Sequence, residues 1–126
     1  MKKILIVIAD YYEDISSSLL KNAKYNLNNF SIKVTRVPGV FEIPVTIAKN
    51  IKKYDAFIAL GCVIKGETPH FDFISTASTQ GIMNLSIESK KPIGNGIITC
   101  LNMKQAKARG KKGKEAAKAV ISVLSQ

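Results

Sequence analysis

Tryptophan is absent from this 126-residue chain, and aromatic residues make up only 7% of it. The core must therefore be aliphatic. Acidic residues are scarce, nine against nineteen Lys and Arg. Two cysteines, Cys62 and Cys100, are too few and too far apart for a disulfide framework or a metal motif. Reduced thiols of a cytoplasmic protein account for them. A lone histidine, His70, has no second His or Cys close in sequence to share a metal. No apolar run approaches the ~18 residues that cross a bilayer, which argues against a membrane protein. The start, Met1-Lys2-Lys3 followed by Ile4–Ala9, imitates a signal peptide. Its apolar run is too short, and Asp10, Glu13 and Asp14 follow with no small-residue cleavage site, so it reads as a buried strand. The length fits one domain over residues 1–126, at roughly 100–200 residues per domain, and excludes a modular enzyme. With 46% hydrophobic and 22% charged residues, the composition argues against intrinsic disorder.

The net charge of +10 is concentrated late in the chain, where residues 102–126 hold seven basic residues and one acid. Such a surface suits nucleic acid, an anionic membrane or a phosphorylated small molecule, or is simply a solvated helix face. No aromatic residues interleave the basic run, which argues against nucleic acid.

The chain alternates strand and helix patterns. Ile4–Ala9 is continuously apolar and β-branched, the pattern of a central parallel strand covered on both faces. Helical spacing of Ile15, Leu19, Leu20, Ala23 and Leu27 predicts a helix over 13–29. Ile32–Val37 suits an outer strand, broken by Pro38-Gly39. A helix is expected over Glu42–Lys52, with Pro44 in its first turn. Asp55–Leu60 reads as a second buried strand, followed by Gly61 and a loop. Thr68-Pro69 reads as an N-cap and first helical position, and Ile74, Ala77, Ile82 and Leu85 give the helix one apolar face. Pro92–Thr99 supplies a fourth strand. Asn102 and Gln105 resemble a capping box for a short helix to Arg109, and Ala116, Ala117, Val120, Ile121 and Leu124 mark a final helix. Four such alternations imply an α/β fold, a four-stranded parallel sheet between helical layers. Ligands then bind beyond the carboxyl ends of the strands.

The chemically unusual residues crowd that rim. Gly66 allows close backbone approach, and the amides of Glu67, Thr68, His70 and Phe71 open a helix. They form either an anion site or an ordinary capped start. His70 suits proton transfer, since an unperturbed imidazole titrates near neutrality, or is a partly exposed helix residue. Tyr11 can stack on a planar ring or sit half-buried under a loop. Glu42 gains from a helix dipole and can accept bonds from ligand hydroxyls. Arg109 and Lys112 can pin a phosphate or remain solvated.

VPGVFEIP at 37–44, YDAFIALG at 54–61 and ALGCVIKGETPHFDFI at 59–74 closely resemble the 6,7-dimethyl-8-ribityllumazine synthase family of riboflavin biosynthesis. The likeness runs in order through GIITCLN, QAKAR and KKGKEAA. It implies a flavodoxin-like three-layer α/β/α sandwich. It implies a transferase that condenses 5-amino-6-(D-ribitylamino)uracil with L-3,4-dihydroxy-2-butanone 4-phosphate, giving the lumazine, phosphate and water. Neither a metal nor an organic cofactor is implied.

The same resemblance implies roles. Tyr11 takes the place of the aromatic that stacks on the pyrimidine. Val40, Phe41 and Glu42 match the segment along the ribityl chain, with Glu42 accepting its hydroxyl bonds. Val63 and Ile64 match the backbone that reads the uracil edge, and Cys62 beside them joins the substrate-binding set. Gly66, Glu67 and Thr68 match the phosphate loop, Arg109 the phosphate-binding arginine and Lys112 a lysine that closes the site. His70 matches the acid–base histidine. The implied partner is a second copy of the chain: a homo-oligomer of pentamers, with Arg109 and Lys112 facing a neighbour's Tyr11 and Glu42.

Three departures stand out. Asn95, also counted with the binding set, lies where the family commonly has an aromatic. Arg109 is followed almost at once by Lys112, where the family has a longer loop. The first strand begins near Met1, where relatives carry an extension that packs on a neighbour, so pentamer, decamer and 60-subunit shell all remain open. Two other classes compete with the synthase: a non-catalytic lumazine or flavin carrier on the same scaffold, and a basic nucleic-acid-binding domain.

Overall fold

A computed structural model of the chain describes residues 1–66 and 69–126. Its strands are β1 (Lys3–Ala9), β2 (Ser31–Val37), β3 (Ala56–Ile64) and β4 (Ile93–Cys100). They form one sheet in the order β2-β1-β3-β4, and every pairing is parallel. The helices are α1 (Glu13–Lys24), α2 (Ile43–Lys49), α3 (His70–Ser89), α4 (Met103–Ala108) and α5 (Lys112–Leu124). A 3₁₀ turn, Val40–Glu42, leads into α2.

The alternating faces of the sheet build two aliphatic cores, as the sequence requires. Ile4, Ile6, Ile8, Ile58 and Leu60 pack with Ile15, Leu19, Ala117 and Val120 of α1 and α5. Leu5, Val7, Phe57 and Ala59 pack on the other side with Ile43 and Ile47 of α2 and Ile82 of α3. This is the flavodoxin-like three-layer α/β/α sandwich.

Several boundaries differ from the sequence reading. α1 ends at Lys24 and not at residue 29. Asn26, Asn28 and Asn29 favour local side-chain bonds over helix, yet Leu27 is still buried just beyond the helix end. α2 stops at Lys49, three residues before Lys52. Gly61, Cys62, Val63 and Ile64 are strand and not loop, because β4 offers each a partner: Ile97, Ile98, Thr99 and Cys100. The fourth helix is capped as expected: Asn102 Oδ1 accepts from the Gln105 N–H at 2.9 Å. The Gln105 side chain reaches one residue further back, to the Leu101 N–H at 2.8 Å. The expected Thr68 cap lies outside the described residues, and α3 starts one residue after Pro69.

Glycines let the layers approach closely. A Cβ on Gly113 would strike the Leu19 carbonyl of α1, and one on Gly94 the Ala116 carbonyl of α5. Backbone cannot yield as a side-chain tip can. Gly113→Ala is therefore expected to lower the unfolding free energy by about 1–3 kcal/mol, as overpacking does. Gly66→Ala, where a Cβ meets open space, should leave it nearly unchanged. Urea unfolding of the two variants checks the contrast.

Candidate active site

The parallel sheet sends all four strand ends to one rim. Two of the cavities there gather the predicted residues. The first, of about 650 Å³, lies between the ends of β1 and β3, the 3₁₀ turn and the start of α3. Tyr11, Val40, Phe41 and Glu42 line it from one side, and Cys62, Val63, Ile64 and His70 from the other. Tyr11 is 75% exposed, so it is not the half-buried boundary aromatic that was the alternative reading. Its ring meets Tyr12 edge-on, centroids 4.9 Å apart at 77°. Phe41 is also exposed, while Val40 is buried and anchors the turn. The Glu42 carboxylate folds over Gly39, where a Cβ would stand 3.2 Å from Oε1. Gly61 floors this corner: a Cβ there would stand 2.8 Å from the Val40 side chain. The exposed His70 is the first residue of α3.

The second cavity, of about 480 Å³, lies beside β4, α4 and the start of α5. Asn95, Arg109 and Lys112 line it, with Lys111 and Glu115. Arg109 donates through Nη1 to the Thr99 carbonyl at 3.1 Å and approaches Cys100 Sγ at 3.8 Å, which sets its guanidinium against the end of β4. The Asn95 side-chain Oδ1 accepts from the Ile97 N–H at 3.0 Å. The turn from α4 to α5 is tight: the Lys112 N–H donates to the Arg109 carbonyl at 3.1 Å. Lys111, Lys112 and Lys114 gather at the start of a thirteen-residue helix. Cations are disfavoured at the positive end of a helix, and an anion beside them relieves that strain.

The predicted residues thus fall into two groups that share no cavity. Gly66 is described and exposed but lines neither. Glu67 and Thr68 lie outside the described residues. Sequence reasoning did not single out Tyr12, Phe73 or Ile74, which also line the first cavity. The adjacency of Tyr12 to Tyr11, and the position of Phe73 one turn after His70, were the available signals.

A family model described as 6,7-dimethyl-8-ribityllumazine synthase matches residues 1–126. The chain belongs to the 6,7-dimethyl-8-ribityllumazine synthase family. It is similar to 6,7-dimethyl-8-ribityllumazine synthase 1 of Rhodopseudomonas palustris, 43% identical over 97% of this chain and 83% of that protein. The 6,7-dimethyl-8-ribityllumazine synthase of Agrobacterium fabrum is 41% identical over 96% of this chain and 91% of its own length. That of Nitrobacter hamburgensis is 41% identical over 97% and 83%. This kinship favours neither the carrier nor the nucleic-acid reading.

Within this lumazine synthase scaffold both cysteines are buried. Burial pushes the Cys62 thiol up to about 12, and neighbouring Cys100 adds to the effect. Burial also raises the Tyr12 phenol, with smaller contributions from Tyr11 and Cys62. An unfolded thiol ionises first, so stability is intact below about pH 9 and declines as pH rises toward 12. At pH 8 an aromatic disulfide reagent should modify the folded protein at least ~10-fold more slowly than the urea-unfolded chain. Equal rates would show that the thiols are accessible.

Proposed function

We propose that this chain, as one domain over residues 1–126, condenses 5-amino-6-(D-ribitylamino)uracil with L-3,4-dihydroxy-2-butanone 4-phosphate to 6,7-dimethyl-8-ribityllumazine. Family membership carries the reaction. The observation that best supports its site is the meeting of Tyr11, Phe41, Glu42 and His70 around one cavity. Among the described residues no helix is long and apolar enough to cross a membrane, which accords with a cytoplasmic enzyme.

In this reading the pyrimidine stacks on Tyr11, and its edge meets the β3 backbone at Val63 and Ile64. The ribityl chain lies along Val40 and Phe41, and Glu42 accepts its hydroxyl bonds. The substrate's amine attacks the ketone, and water leaves as the imine forms. Phosphate is then eliminated, the enol tautomerises, and ring closure releases a second water. Each step moves a proton, the task assigned to His70. Arg109 and Lys112 stabilise the departing phosphate. Holding both substrates together supplies much of the acceleration.

The two cavities belong to one site only if a neighbouring copy brings its Arg109 and Lys112 to this chain's Tyr11 and Glu42. Such sharing fits the homo-oligomer of pentamers that the family resemblance implies. α3 presents Phe73, Met83 and Ile87 to solvent, each more than half exposed, along one helical stripe that a neighbour would cover.

A steady-state assay following lumazine absorbance and phosphate release together tests the reaction. His70→Ala should lower kcat by roughly 100-fold with the fold intact, the lower end of what acid–base help contributes. Arg109→Ala should mainly raise KM for the phosphorylated ketone. No turnover by the folded, assembled protein would leave a ligand carrier.

The shared site has its own test. Glu42→Ala and Arg109→Ala proteins, assayed at ketone phosphate far below its KM, where each is strongly impaired, should regain roughly a quarter of wild-type activity when unfolded and refolded together, because random mixing pairs intact halves in that share of interfaces. No recovery in mixed oligomers would place the whole site within one subunit.

A further inference from the structure

Tyr11 poses a physical problem. A ring that stacks on a substrate must be held in one plane, yet this one is 75% exposed and sits in a three-residue link, Asp10–Tyr11–Tyr12, between β1 and α1. Tyr12, the N-cap of α1, has an extended backbone and supplies no side-chain cap bond. The link must therefore be fixed from elsewhere.

The buried hydroxyl of Ser16 supplies the fixing. Ser16 is 1% exposed, on the first turn of α1 facing the core. Its Oγ donates to the Ala9 carbonyl at 2.6 Å and lies 3.0 Å from the Tyr12 carbonyl. One hydroxyl thus reaches the residues on both sides of the Asp10–Tyr11 step. The Ser16 N–H also donates to the Tyr12 carbonyl, at 2.9 Å. On the outer side, the Asp10 N–H donates to the Val37 carbonyl at 3.1 Å, and Arg36 pairs with the Asp10 carboxylate at 2.9 Å. That ion pair is exposed and weak. The Ser16–Ala9 bond is buried and so the stronger of the two, because water does not compete for it.

We propose that Ser16 is a positioning residue for the pyrimidine substrate: its hydroxyl ties the end of β1 to the start of α1 and so holds Tyr11 in its stacking plane. This rests on the reading of Tyr11 as the stacking residue. Ser16 lines neither cavity. Its effect belongs in the binding of the flat ring and not in the chemical step.

A double-mutant cycle with kinetics on both substrates tests this. Ser16→Ala should raise KM for the ribitylaminouracil about five- to tenfold, the scale of one buried hydrogen bond, and leave kcat and KM for the ketone phosphate nearly unchanged. Ser16→Thr, which keeps the hydroxyl, should restore the wild-type value. In a Tyr11→Ala background, Ser16→Ala should have no further effect. If Ser16→Ala does not fold, Ser16→Cys, with a weak S–H donor in nearly the same volume, should show a smaller rise in the same KM. Unchanged KM in the folded variant overturns the proposal, as do equal losses in both KM values, or a Ser16 effect of full size without Tyr11. If Tyr11→Ala itself leaves KM unchanged, the stacking reading beneath the proposal fails instead.

Discussion

Burial of β1 and β3 on both faces is the constraint from which the rest follows. Residues 4–9 of β1 and 56–60 of β3 are at most 2% exposed. Strands so placed must be covered by helices above and below, and each covering helix returns the chain to start the next strand in the same direction. The parallel sheet is the outcome, and with it one rim that receives every strand end. Each fully buried aliphatic side chain contributes about 1.5–3 kcal/mol, and these two strands supply most of them. The reactive residues are gathered by a hydrophobic requirement that has nothing to do with their chemistry.

The second determinant is closeness. α5 lies on β4 and α1 so tightly that Gly94 and Gly113 have no space for a methyl group. None of the described glycines has a positive φ. They serve here as the smallest side chain, not as the most flexible backbone. The tight α4–α5 turn follows from this contact, because α5 must start beside α1. Arg109 and Lys112 are brought to the end of β4 as a result.

The buried strands were legible because their signal is local: an unbroken β-branched run has few other uses. The α1 boundary was misread because Leu27 keeps the helical spacing after the helix has ended, and burial does not require a helix. Gly61–Ile64 read as loop because its strand character depends on β4, more than thirty residues away. Motif similarity pointed to the candidate site residues and set Arg109 and Lys112 against a neighbour's Tyr11 and Glu42. The carboxyl-end rule put them all on one rim and could not divide them into two cavities, because that division depends on β4 being an edge strand. Spacing alone carries no such information. Phe73 escaped notice because its one signal, a place one turn after His70, is common to any helix start.

The two edges of the sheet are not alike. β2 carries Lys33 and Arg36, charges that discourage another strand from docking. β4 reads Ile-Gly-Asn-Gly-Ile-Ile-Thr-Cys, without a charge, beside a cavity on its flank. A neutral, β-branched margin of this kind is a template for misdirected strand addition while the chain is newly made and alone. A partner laid over β4 would serve solubility as well, by removing the surface on which aggregation would begin.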